Sequence, residues 1–151
     1  MNLEQIDQGL MELILFVLDY GISCVRDVDG PFTPCVTVED EGGTRHLRII
    51  VADRLERAID EAMAFAGSVD TQSRVAVSYD GFVAIDEPAL WSAFPLVQRV
   101  GAQMNAIIVV ARDRGRTEAQ VVYAQRYKPN KARQRFRTVG DPVFLGQPSQ
   151  G

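Results

Sequence analysis

Histidine, cysteine and tryptophan are nearly missing from this chain, which holds one His, two Cys and one Trp in 151 residues. With a single histidine and two separated cysteines, a zinc site of the usual composition would need carboxylates as further ligands, so none is expected. Cys24 and Cys35 lack CxxC spacing, and two cysteines do not make a disulfide framework in a chain this long; a reducing compartment follows. The sequence has no GxGxxG, Walker A, GxSxG, HExxH or EF-hand pattern, which removes the familiar nucleotide-binding, hydrolase and metal-loop classes. No cofactor is expected. Long apolar runs are missing too: the densest, Leu13 to Leu18, is far short of the roughly 20 residues of a membrane span. The first residues are acidic (Glu4, Asp7) where a secretory leader would be basic, so the expected location is the cytoplasm. No repeat, linker or low-complexity stretch divides the chain.

What is present is an ordinary globular composition, 46% apolar and 24% charged. A chain of this size buries roughly two thirds of its unfolded surface around one core. A single domain over 1–145 with a flexible tail over 146–151 is expected. The net charge of −4 hides a polarity. Residues 1–91 carry 17 acidic and 6 basic side chains, and residues 92–151 carry 3 and 10. The two ends attract each other, within a chain or across a dimer, or a basic surface is offered to an anion.

Leu3 to Tyr20 reads as a helix ended by Gly21, with Leu3, Ile6, Leu10, Leu13, Ile14 and Val17 at helical spacing. It ends apolar all round, which calls for burial on several sides, under a sheet or against a second subunit. Cys35 to Glu39 and Thr44 to Val51 alternate as strands around an Asp40-Glu41-Gly42-Gly43 turn. Pairing 39 with 44 places Val36, Val38, Leu47 and Ile49 on one face, and Cys35, Thr37, Glu39, His46 and Arg48 on the other. A second helix is capped by Asp53 with Glu56 behind it, and buries Leu55, Ala58, Ile59, Ala62 and Met63. Arg74 to Ile85 forms a hairpin about Asp80-Gly81 or one bent strand. Pro88 to Arg99 reads as a broken helix, and Ala106 to Arg112, Glu118 to Tyr127 and Ala132 to Thr138 read as strands. The fold class is α+β, a mostly antiparallel sheet of six to seven strands in the order α-ββ-α-ββ-(short α)-βββ. In element order alone, with no shared motif, the α-ββ-α-βββ core resembles roadblock and profilin-like modules.

Three constellations could carry chemistry. Cys35, His46 and Glu39 would share the polar hairpin face, and a thiol, an imidazole and an orienting carboxylate are what nucleophilic acyl transfer requires. Their bland alternative is an exposed His beside a half-buried Cys. Asp27 and Asp29 in a Gly-Pro loop, Asp86 and Glu87, or Glu118 with Gln120, could hold a hard cation, although loop acids more often cap helices or face water. Arg133, Arg135 and Arg137 alternate along one strand face, and pairing 127 with 132 adds Arg126. Guanidinium forks match phosphate and carboxylate, and like charges set opposite each other need an acid between them. That acid could be the helix over 53–66, a protein partner, a small phosphorylated ligand or nucleic acid. The net acidity argues against nucleic acid. The sequence therefore favours a non-catalytic binding module, a homodimer with an acidic partner, over a small hydrolase or an anion binder.

Overall fold

A computed structural model describes residues 7–27, 32–84, 103–128 and 136–146. Among these, helix α1 (Gln8–Asp27), strands β1 (Cys35–Glu39) and β2 (Arg45–Ile49), helix α2 (Leu55–Gly67) and strands β3 (Arg74–Ala84), β4 (Gln103–Arg112), β5 (Val121–Lys128) and β6 (Arg137–Gly146) form one α+β unit. The strands make a single sheet in the order β2-β1-β3-β4-β5-β6, antiparallel at every pairing. One helix packs on each face.

α1 runs one turn and a half past the glycine expected to end it. Its buried residues, Leu10, Leu13, Ile14, Val17, Leu18, Gly21, Ile22 and Val25, recur every three and four positions, so one stripe faces the sheet. Gly21 lies inside that stripe. A Cβ there would stand 2.8 Å from Ile107 Cγ2, so glycine is present for close approach and not for termination. The stripe packs on Cys35, Ala76, Ile107, Val109, Ala111, Val121, Tyr123 and Tyr127. α1 is also long and apolar enough to cross a bilayer, a property that the six-residue run conceals, but here its stripe is spent on the sheet. Leu15 and Phe16 point away and stay exposed.

α2 covers the opposite face over β1 and β3, setting Ala58 and Ala62 against Val36, Val75 and Val77. Its expected start differs: Arg54 is the N-cap, with no side-chain cap bond, while Asp53 pairs with Arg57 at 3.4 Å. Of the predicted stripe only Ala58 and Ala62 are buried, and Leu55 and Met63 remain exposed. Farther along this face Val83, Ala106, Ile108, Val110, Val122, Ala124 and Leu145 form a separate buried cluster.

Two registers depart from expectation, and β3 takes the single-strand alternative. The first hairpin pairs Glu39 with Arg45, because Asp40 closes a loop one residue longer, accepting from the Thr44 N–H on Oδ1 at 3.0 Å, with Gly43 at φ +86°. β3 runs unbroken through Asp80-Gly81, where pairing with Ile107 and Ala106 overrides the turn tendency of the dipeptide. β6, described from Arg137 onward, pairs Lys128 with Arg137, Tyr127 with Thr138 and Arg126 with Val139, whereas the expected strand from Ala132 lies outside the described residues up to Arg135. The predicted broken helix over 88–99 lies outside the described residues, as does the predicted tail over 146–151 except for Gly146, which ends β6.

Candidate functional site

On the α1 face the polar side chains gather at the two ends of the sheet. At the first end Arg74, on β3 beneath the start of α1, donates to Glu39 at 2.7 Å, Asp113 at 2.9 Å and Asp7 at 3.0 Å. Glu39 also accepts from Arg45 at 2.9 Å, with Arg114 3.6 Å away. Burial disfavours the Glu39 charge, but Arg45 and Arg74 outweigh it and hold the carboxyl below its ordinary range. Gly9 is required here, since a Cβ would stand 2.5 Å from the Arg74 guanidinium. Arg74 and Arg45 are matched by acids, while Arg114 donates to the Asp40 carbonyl at 2.6 Å and keeps a buried Nε without a partner; the cluster is a clasp joining α1, β1, β2, β3 and the β4–β5 turn.

At the other end Asp80 is buried and has no cation beside it among the described residues. Its carboxylate accepts from Tyr127 Oη at 2.8 and 2.9 Å and from the Phe32 N–H at 3.2 Å. Burial raises the Asp80 pKa in spite of these donors. Burial and the facing carboxylate push the Tyr127 hydroxyl up as well. The sequence carries a signal for this pair. Read as one strand, Arg74, Ala76, Ser78 and Asp80 alternate onto a single face, and only the turn tendency of Asp-Gly hides it.

The nucleophilic constellation does not assemble. The longer hairpin loop slips the register by one, which sends alternate residues to opposite faces: Cys35 pairs with Ile49 and His46 with Val38. Cys35 is fully buried under α1, and burial raises its thiol pKa against a bond from Thr37. His46 is exposed on the other face, its Nε2 3.2 Å from Asp40 Oδ2, and Glu39 is committed to arginines. Among the described residues neither His46 nor a free carboxylate reaches the thiol.

The acidic candidates scatter. Asp27 is exposed at the end of α1 beside Arg26, Gln120 accepts from the Asp113 N–H at 2.7 Å, and Glu118 lies in the β4–β5 connection. Asp29, Asp86 and Glu87 lie outside the described residues. Among the described residues no group of three or more His, Cys, Asp or Glu side chains could hold a metal ion.

Of the arginine set, Arg133 and Arg135 lie outside the described residues. Arg126 and Arg137 share the α2-side face of the sheet with Lys128, as the pairing of Lys128 with Arg137 and of Arg126 with Val139 requires. The predicted opposition of Arg126 to Arg133 is replaced by that of Lys128 to Arg137, because the intervening loop is longer. The expected neutraliser, α2, packs on β1 and β3, and its Glu61, together with Asp53 just before the helix, pairs with Arg57 of the same helix.

Sequence reasoning passed over Arg112. It is 5% exposed and donates to the carbonyls of Ala66, Val69 and Asp70, closing the end of α2. It borders a cavity of about 250 Å³ walled by Met63, Val77, Val110 and Ala119. Burial lowers its pKa, opposed by Asp70.

A fourth feature is the β2 edge of the sheet, which has no outer strand among the described residues. β2 shows Leu47 at 39% and Ile49 at 56% exposure, followed by Val51 at 79%, and α1 adds Phe16 at 37%. Leu47 and Ile49 share the α1 side with Arg45, whose guanidinium lies 4.6 Å from the Phe16 ring centroid. Leu47 and Ile49 thus lie on the outermost of the described strands, with Phe16 adjoining through Arg45. Comparison of this chain with family models, curated proteins and solved structures gives no match.

Proposed function

We propose that the protein is a non-catalytic binding module that pairs with a second copy of itself along β2. The observation that carries this reading is the set of exposed apolar side chains Phe16, Leu47, Ile49 and Val51 beside a strand edge that is unpaired among the described residues. Exposed edges are normally blunted by charge, twist or cover, and a two-fold axis would let each strip cover the other. Burying the remaining exposure of each side chain contributes on the order of 1 kcal/mol. Eight such side chains and a few edge hydrogen bonds, set against an association cost of at least about 4 kcal/mol, support a micromolar dimer. The buried, base-free Cys35 and the scattered carboxylates favour binding over the hydrolase reading. Two free thiols support an intracellular location.

Sedimentation velocity from 1 to 100 μM tests the proposal. A dimer forming within that range, and lost in Leu47→Lys and in Ile49→Lys, is expected. A monomer at every concentration, or a dimer indifferent to both substitutions, would overturn it.

A further inference from the structure

We infer that the β5–β6 end of the sheet is a binding surface for the phosphate backbone of nucleic acid, built on Arg126, Lys128 and Arg137. Elsewhere in the described structure buried arginines are matched: Arg74 and Arg45 hold carboxylates, and Arg112 holds three carbonyls. At this end the pattern breaks. Arg126, Lys128 and Arg137 make no ion pair among the described residues, and Lys128 and Arg137 stand directly opposite each other. Like charges in a cross-strand pair destabilise a sheet unless an anion lies between them. The Arg126 guanidinium lies over Gly140, where a Cβ would come within 2.9 Å of Nη2, and that glycine has φ +65°. Arg126 Nε is buried without a hydrogen-bond partner, as Arg112 Nε and Arg114 Nε also are, but Arg126 alone of the three has no acceptor for its other guanidinium nitrogens among the described residues.

The arrangement fits a chain of phosphates better than one small anion. Arg126 and Lys128 are two residues apart on one face, roughly 7 Å along the strand, and Arg137 extends the row across to β6. Arg137 is exposed, and the three side chains lie in a row along and across two strands, so the surface they form is linear. Phosphate contacts of this kind are made by side chains alone and carry no base sequence information.

The net acidity of the chain does not oppose this locally. The acidic helix α2 contacts β1 and β3, and strand spacing of about 4.8 Å puts β5 and β6 roughly 10–14 Å from β3. That exceeds the screening length of about 8 Å at physiological salt. The inference is independent of pairing through β2, which uses the opposite edge of the sheet.

Fluorescence anisotropy with the full chain and a labelled 20-base-pair duplex tests it, with poly-glutamate of similar length as the rival probe. Three neutralised phosphates give a log–log salt slope near −2.7, so affinity should fall roughly twentyfold between 50 and 150 mM salt. Lys128→Gln and Arg137→Gln, both at accessible positions, should each lower the slope by about one; Arg126→Gln serves as a third variant because its partly buried side chain risks the fold. Absence of duplex binding at 50 mM salt would overturn the inference, and so would slopes unchanged in the two accessible variants. Poly-glutamate binding as tightly through the same residues would also overturn it, assigning the surface to an acidic protein. A monomeric protein that still binds duplex would remove only the self-pairing proposal.

Discussion

Replacing Arg74 with methionine tests whether the clasp holds the sheet to α1. The substitution keeps the unbranched apolar stem and removes three ion pairs of unequal weight. Glu39 is 7% exposed in its side chain, Asp113 21% and Asp7 55%. A charged hydrogen bond to a buried partner contributes about 1.5–3 kcal/mol, a half-exposed pair about 1 kcal/mol, and an exposed one a few tenths. Arg45 stays on Glu39, so the carboxylate is not left bare. The expected loss is about 3–4 kcal/mol at pH 7, a quarter or more of a typical domain's stability. The pH dependence follows from Glu39. Its folded pKa lies below the unfolded value, so its contribution is present above about pH 4.5 and is lost as pH falls through the folded pKa. The penalty of Arg74→Met should therefore shrink markedly in acid. Urea denaturation of both proteins at pH 7 and pH 3 measures it. A penalty below 1 kcal/mol at pH 7, or one equal at the two pH values, would refute the ledger.

Two other substitutions probe opposite corners of the same face. Tyr127→Phe removes the hydroxyl that supports the buried Asp80 carboxylate and should cost about 1.5–3 kcal/mol at pH 7. The Asp80 pKa is raised in the fold, so its contribution is fullest below about pH 3.8 and is lost as pH rises through the folded value. The variant should thus lose stability more steeply than the parent on going from pH 4 to pH 7 in chemical denaturation. Gly21→Ala gains about 1 kcal/mol of helix propensity but drives a Cβ to 2.8 Å from Ile107 Cγ2. A net loss of about 1–2 kcal/mol in the same assay is expected, and a stabilised protein would show that α1 can lift off the sheet freely.

The fold class was legible because periodicity survives inside each element: α1 repeats its apolar residues by threes and fours, and β1 alternates. What the sequence hid was registration. One extra loop residue at Thr44 turned His46 away from Cys35, and the longer β5–β6 connection moved Arg137 opposite Lys128. Neither loop length is fixed by local preference alone, since the turn dipeptides tolerate several lengths and the buried face selects among them. Asp80-Gly81 shows the reverse case, a turn signal overruled by paired neighbours on β4. The apolar edge was invisible for a different reason: Leu47 and Ile49 read as core residues until β2 is known to be outermost.

The two borders of the sheet are unlike, and that decides how self-association would grow. β6 carries Gly140 at φ +65° and Gly146 at φ +115°, Pro142 without an amide proton, and register shifts against β5. Such a border cannot offer a regular ladder to an incoming strand. Head-to-tail stacking of β2 on β6, the mode that repeats without end and makes filaments, therefore has no second surface to use. Under the proposed pairing, β2 is the receptive border among the described strands, and using it on each copy would end assembly at two and spare the protein from polymerising.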